Sequence, residues 1–269
     1  MLEMRSRIVG IVNVTPDSFS DGGRDAAATL AHMERLAEEG ADVLDIGAES
    51  TRPNAQLITP EEEWQRLQPV LGEARKRLPY IQLSVDTRHA ETARRALNEG
   101  VDWINDVSVT PDDAMLKVIA HTTCKYVVMH ALSVPPTKEH TLPEGVDVAQ
   151  VMLAWSERTL ERLSQAGISK DRVILDPGIG FGKTPEQTWD LLRKLPIIQK
   201  NLTLTWLYGH SRKSFFGTVG DGTATARDME THMVSAYLAA HNIAYLRVHD
   251  VAGTRRAIAV GKHLAEKRD

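Results

Sequence analysis

The sequence is short of several things, and each shortage excludes something. Among 269 residues there is one cysteine, Cys124, so no intrachain disulfide can form, and reducing cytoplasm is the simplest expected setting. Neither sign of charge is in excess. Lys and Arg number 32 against 36 Asp and Glu, a net charge of −4, with both signs scattered along the chain. No nucleic-acid partner is expected from that balance, although a local basic pocket stays open. Long apolar runs are missing, so no membrane span is expected. Ile8–Val12, after the polar Met1–Arg7, is far too brief for a signal-peptide core. Low-complexity segments and clear linkers are missing too. The length and the 42% hydrophobic content suit one large α/β domain covering residues 1–269, or two smaller ones.

What the sequence does contain is a regular alternation of short apolar runs and amphipathic helices. The runs Arg7–Val12, Val43–Ile46, Ile81–Val85, Trp103–Asn105, Tyr126–Met129, Val173–Leu175, Leu202–Leu207 and Tyr245–Val248 read as strands. Helices are expected at Ala26–Glu39, Pro60–Arg77, Ala90–Asn98, Asp112–Ala120, Val148–Ala166, Pro185–Lys194, Ala226–His241 and Val251–Glu266. Thr59 before Pro60 and three glutamates is an N-cap followed by a favourable first turn. Eight β-α units in a chain of this length predict a single-domain (β/α)8 TIM barrel, with an open doubly wound sheet as the alternative.

The chemistry gathers where those strands end. The stretch Arg172–Thr184 shows it best: Val173-Ile174-Leu175 stops abruptly at Asp176-Pro177-Gly178. A carboxylate at the end of a buried strand needs a partner. Gly178, Gly180 and Gly182 strip side chains from the turn, so a ligand is expected close to the backbone, and Lys183 brings a cation to the rim. The loop is not a Walker phosphate loop, because Pro177 falls where the first glycine should be. Nor does Gly178-Ile179-Gly180-Phe181-Gly182 have the dinucleotide-fold spacing.

Other strand ends carry polar groups in the same way, and in barrels such ends are the reactive rim. One set is cationic with hydroxyl support: Thr51, Arg52, Arg247, His249 and Asn13. Two arginine forks with a histidine suit a phosphate or pyrophosphate. A deeper set, Asp86, Asn105 and Asp176 with Lys213, suits the donor and acceptor edge of a flat heterocycle. Each residue alone reads equally well as a cap or a turn. All of them together would require a coincidence at every strand end.

Taken together, these motifs resemble the dihydropteroate synthase family of the pterin-binding barrel superfamily. The matching segments are Asn13-Val14-Thr15-Pro16-Asp17-Ser18-Phe19-Ser20-Asp21-Gly22-Gly23, Glu49-Ser50-Thr51-Arg52-Pro53, Ser84-Val85-Asp86-Thr87, Ile104-Asn105-Asp106, Asp176-Pro177-Gly178, Ser211-Arg212-Lys213-Ser214 and Arg247-Val248-His249-Asp250-Val251. They run in order over nearly the whole chain. The resemblance implies condensation of 6-hydroxymethyl-dihydropterin pyrophosphate with p-aminobenzoate, giving dihydropteroate and pyrophosphate in folate biosynthesis. It implies pterin contacts from Asp86, Asn105, Met129, Asp176 and Lys213. Pyrophosphate contacts fall on Asn13, Thr51, Arg52, Arg247 and His249, with Mg²⁺ beside Asn13. Aminobenzoate surroundings fall on Phe19, Pro53, Phe181 and Ser214. Asp86, Lys213 and Arg247 are the expected catalytic residues, and a homodimer through the last helices is expected.

The chain departs from the family pattern after strand five, where Ala131–Pro143 lacks the usual Met-x-Gly segment. Ala48 and Asn54 stand where glycines are common, so an altered response to aminobenzoate or sulfonamides is expected. Rival readings are a pterin-dependent methyltransferase, a catalytically idle pterin-binding relative, a metal-dependent hydrolase using His130, His210, His249 and Asp250, and a Schiff-base aldolase using Lys213, its pKa lowered by Arg212.

Overall fold

The computed structural model describes residues 6–14, 24–50, 57–137, 139–201, 204–220 and 223–265. Eight strands alternate with helices through these residues. They are β1 (Arg7–Asn13), β2 (Val43–Gly47), β3 (Gln82–Thr87), β4 (Trp103–Asp106), β5 (Lys125–Met129), β6 (Val173–Asp176), β7 (Leu207–Tyr208) and β8 (Tyr245–Val248). All pairings are parallel, in the order β6-β5-β4-β3-β2-β1-β8-β7. The ring closes through a parallel bridge between Leu175 and Trp206, backed by a 2.9 Å bond from the Leu175 amide to the Thr205 carbonyl. The predicted barrel is therefore the observed fold.

The helices are α1 (Arg24–Glu38), α2 (Pro60–Arg77), α3 (Ala90–Asn98), α4 (Asp113–Ala120), α5 (Val148–Gln165), α6 (Pro185–Arg193), α7 (Leu195–Asn201), α8 (Asp228–Ala240) and α9 (Val251–Ala265). Local chemistry sets where several begin. Thr59 and Glu62 form a capping box on α2, Thr184 and Gln187 form another on α6, and Asp112 and Asp147 cap α4 and α5. Two details differ from the sequence pattern. Helix α7 occupies a span with no predicted element. Pro196 is its second residue, where a missing N–H costs nothing. Strand β7 is two residues long and later than expected.

Side chains alternate across each strand, so the barrel has an outer layer under the helices and an inner one. The outer layer is the main hydrophobic core. Val9, Val43, Trp103, Val127, Ile174, Leu207 and Tyr245 form a separate buried cluster. Trp103 and Tyr245 meet edge to face at 4.8 Å although β4 and β8 are not neighbours in the sheet. That contact runs through the interior, so this cluster is the floor plug of the barrel.

Candidate active site

Two residues further along the same strands, the inward positions change character. Val43 gives way to Asp45, Trp103 to Asn105, Val127 to Met129, Ile174 to Asp176, Leu207 to Gly209 and Tyr245 to Arg247. A period of two turns one apolar layer into one polar layer above it. Over that layer lies a recess with about 370 Å³ of atom-free space, part of it open to solvent. Asp86, Asn105, Asp176, Lys213 and Arg247 line it, with Met129, Phe181, Val107 and Ile179 as apolar walls. The predicted heterocycle-binding set thus converges on one place.

The floor is a charged network. Arg247 Nε donates to Asp45 Oδ2 at 2.6 Å, and its NH2 group donates to Asp86 Oδ2 at 2.7 Å. Asn105 Nδ2 donates to Asp45 Oδ2 at 3.0 Å, and Ser84 Oγ donates to Asp45 Oδ1 at 2.5 Å. Asp86 does not cap the helix after it, which removes the bland alternative for that residue. Burial pushes its carboxyl upward, and Arg247 pulls it back. Asp45 is 1% exposed and was not among the predicted residues. Its signal is a lone carboxylate inside the apolar run Val43-Leu44-Asp45-Ile46, opposite Ser84 in the parallel register.

Asp176 closes its own turn, its Oδ1 accepting from the Gly178 amide at 2.7 Å. Burial raises its pKa, against the opposing pull of that amide, Lys213 and Arg247. The Lys213 ammonium lies 4.4 Å from the centre of the Phe181 ring, within cation–π range. Burial first, then Arg247, lower it to about 8. Arg212 is not the cause that the aldolase reading requires. Its backbone is left-handed, with φ 59, and its guanidinium turns away to grip Asp228 at 2.7 and 2.8 Å. Arg212 therefore anchors the loop that delivers Lys213.

Lys183 also departs from expectation. It is 7% exposed, not on the rim, and its Nζ meets His130 Nδ1 at 2.9 Å and the Gly178 carbonyl at 3.1 Å. Burial lowers it to about 7, and burial together with Lys183 lowers His130 to about 3. Gly178 lines the recess, and the glycines of this turn serve packing as well. Gly178 has φ 65, and a Cβ there would collide with the His130 carbonyl. A Cβ on Gly182 would come within 2.6 Å of Leu132 Cγ. Leu132 belongs to the divergent loop after β5, which also bonds the Leu142 amide to the Gly182 carbonyl at 2.9 Å. Met129, Ala131, Val107 and Phe181 form one buried apolar cluster with Val134 against it. The divergent loop thus backs the wall of the recess.

The outer group is only partly assembled among the described residues. His249 Nδ1 lies 2.9 Å from Ser211 Oγ, and burial followed by Arg212 and Arg247 lowers its pKa to about 3. Asn13 ends β1 exposed, and Ser214 is exposed at the start of a 3₁₀ turn, Ser214–Thr218. Phe19, Thr51, Arg52 and Pro53 lie outside the described residues. Glu49 marks the foot of the second loop: it accepts from Arg88 Nε at 2.7 Å and from the Ile58 amide at 2.8 Å. Among the described residues no group of three His, Cys, Asp or Glu is placed to hold a metal. His210 bonds Ser235 at 2.8 Å and His130 bonds Lys183, so the histidines of the hydrolase reading do not converge. No helix among the described residues is long and apolar enough to cross a membrane.

Comparison with known proteins agrees with this geometry. Residues 9–249 match the model of the pterin binding enzyme family. The chain is 39% identical to the dihydropteroate synthase of Neisseria meningitidis serogroup B, over 97% of this chain and 93% of that one. It is 38% identical to the folate synthesis bifunctional protein of Chlamydia caviae over 94% of its own length, and spans 58% of that longer relative. Anaplasma phagocytophilum dihydropteroate synthase, solved with 6-hydroxymethylpterin-monophosphate, superposes with a TM-score of 0.88 at 37% identity, over 97% of this chain and 99% of that one. The Xanthomonas albilineans dihydropteroate synthase solved with 4-aminobenzoic acid gives the same score and identity over 98% and 94%.

Proposed function

The chain belongs to the pterin binding enzyme family, and from that premise we propose that it is a dihydropteroate synthase. It condenses 6-hydroxymethyl-7,8-dihydropterin pyrophosphate with p-aminobenzoate and releases pyrophosphate. The observation that carries this reading is the convergence of Asp86, Asn105, Asp176 and Lys213 on one recess with apolar walls. A pterin ring offers donors along its aminopyrimidine edge and a carbonyl beside them. Three acceptors and one ammonium match that pattern. The relatives solved with a pterin phosphate and with 4-aminobenzoic acid support the same substrates here.

In this reading the bond from the pterin methylene carbon to pyrophosphate oxygen breaks, and the electron pair leaves with pyrophosphate. Arg247 and His249, with Thr51 and Arg52, receive the developing charge. The methylene cation is conjugated with the ring, and the carboxylates of Asp86 and Asp176 stabilise it. The neutral arylamine attacks that carbon and then loses a proton, so no strong general base is required. Phe19, Pro53, Phe181 and Ser214 would surround the aminobenzoate. Mg²⁺ bound to pyrophosphate would neutralise charge on the leaving group. Asn13 offers it a single exposed side-chain oxygen, which suits an ion that keeps waters and substrate phosphates as its main ligands.

A cytoplasmic homodimer completes the proposal. Met229 and Met233 on α8 and Val260 and Leu264 on α9 are exposed apolar side chains on two packed helices, a surface fit for a second copy. The test of function is product formation. Protein, Mg²⁺ and both substrates should yield dihydropteroate by mass, and Lys213→Ala should abolish it. Pterin binding without product would identify an idle relative instead.

A further inference from the structure

Asp45 sits below the recess, out of reach of solvent, yet touches three of the strands that build it. Its Oδ2 takes both Arg247 Nε and Asn105 Nδ2, and its Oδ1 takes Ser84 Oγ. A carboxylate flanked by donors can only accept. An asparagine beside it must therefore present its NH2 group downward. Its carbonyl oxygen, on the other side of the amide, is then available to a ligand in the recess that Asn105 lines. The same carboxylate holds Arg247 across the barrel, where the guanidinium reaches Asp86.

We propose that Asp45 is a positioning residue that sets the hydrogen-bonding polarity of the recess. By taking the Asn105 amide group it makes the Asp86–Asn105–Asp176 edge a row of acceptors. That edge selects heterocycles that carry donors there and rejects isosteres carrying oxygen in their place. This rests on the pterin reading and deepens it. Asp45 itself does not touch the ligand. A site that hydrogen-bonds a donor edge discriminates strongly, because a wrong partner leaves buried groups unpaired.

The test compares binding of 6-hydroxymethylpterin with its 2-oxo counterpart, in which the exocyclic amine is replaced by an acceptor. The intact protein should prefer the amino compound by at least about tenfold, the ordinary size of one unpaired buried group. Asp45→Ala should lower that preference several-fold, because the Asn105 amide is free to turn while Asp86 and Asp176 remain acceptors. Asp45→Asn should keep most of it: its oxygen still serves Asn105, and Ser84 accepts from its nitrogen. A purely structural residue would lower thermal stability and leave the preference ratio alone. A folded Asp45→Ala protein with an unchanged ratio overturns the proposal. If that variant does not fold, or the intact protein binds neither pteridine, the Asn105 side-chain amide protons decide. Slow solvent exchange in the ligand-free protein supports the role of Asp45, even where the pterin reading has failed. Exchange as fast as that of an exposed amide overturns it.

Discussion

Lys183 should make the protein less stable as pH falls toward neutrality, and replacing it by methionine should remove that dependence. Lys183 is 7% exposed, and its ammonium lies beside a histidine that is itself kept neutral by burial. Its pKa falls from the ordinary 10.5 to about 7. A lysine depressed on folding leaves the unfolded chain binding the extra proton between those values. Stability is therefore lost as pH drops from 10.5 to 7 and is level below. One proton is worth about 1.4 kcal/mol per pH unit, so the loss between pH 9.5 and 7.5 is about 3 kcal/mol. His130 titrates below this window and does not enter. Lys183→Met takes the partner from His130 Nδ1, while the Gly178 carbonyl still accepts from the Phe181 amide at 3.0 Å, a cost of about 1–3 kcal/mol that is common to both pH values. Urea unfolding of both proteins at pH 7.5 and 9.5 separates the terms. The wild type should gain about 3 kcal/mol over the variant on moving to the higher pH. A stability difference equal at the two pH values would mean that Lys183 stays charged and fully compensated.

Four further outcomes can be measured. Gly178→Ala forces a methyl group into the His130 carbonyl at positive φ and should cost at least about 3 kcal/mol, by thermal or urea unfolding. Gly167→Ala, also at positive φ but with open space around it, should cost only about 1–2 kcal/mol. Pterin affinity measured by calorimetry should fall above about pH 8, where Lys213 loses its ammonium charge, and fall again below about pH 7, where Asp86 takes up a proton and no longer only accepts. Arg212→Met removes the paired hydrogen bonds to Asp228 without touching the recess. It should raise KM for the pterin substrate by about tenfold or more, the cost of misplacing a group by an ångström, while Lys213 remains present.

Most of the barrel and its inner polar set were legible because both follow from strand alternation. A strand that ends on Asp86, Asn105 or Asp176 advertises itself, as nothing apolar follows to explain the carboxylate or amide. Asp45 hides because apolar neighbours enclose it on both sides, and only the pairing with Ser84 and the crossing from Arg247 reveal a use. Lys183 sits in a loop that looks solvent-facing, but its long side chain carries the ammonium back beneath Gly178. Arg212 is a neighbour of Lys213 in sequence and points elsewhere because its own φ is positive. Helix α7 escapes because its second residue is a proline, tolerated only at a helix start. The divergent loop after β5 reads as a threat to the recess. In the structure, Leu132 and Leu142 pack and bond against the glycine turn of β6, so the substituted segment supports the wall that it replaces.

Pyrophosphate release from 6-hydroxymethyl-dihydropterin pyrophosphate, followed with and without p-aminobenzoate, separates a synthase from a relative that only binds the pterin. A dihydropteroate synthase gives release that depends on aminobenzoate and is lost in Asp176→Asn and Lys213→Ala. Release equal in the presence and absence of aminobenzoate, or none at all from protein that binds the pterin, would mean that this chain is not a dihydropteroate synthase.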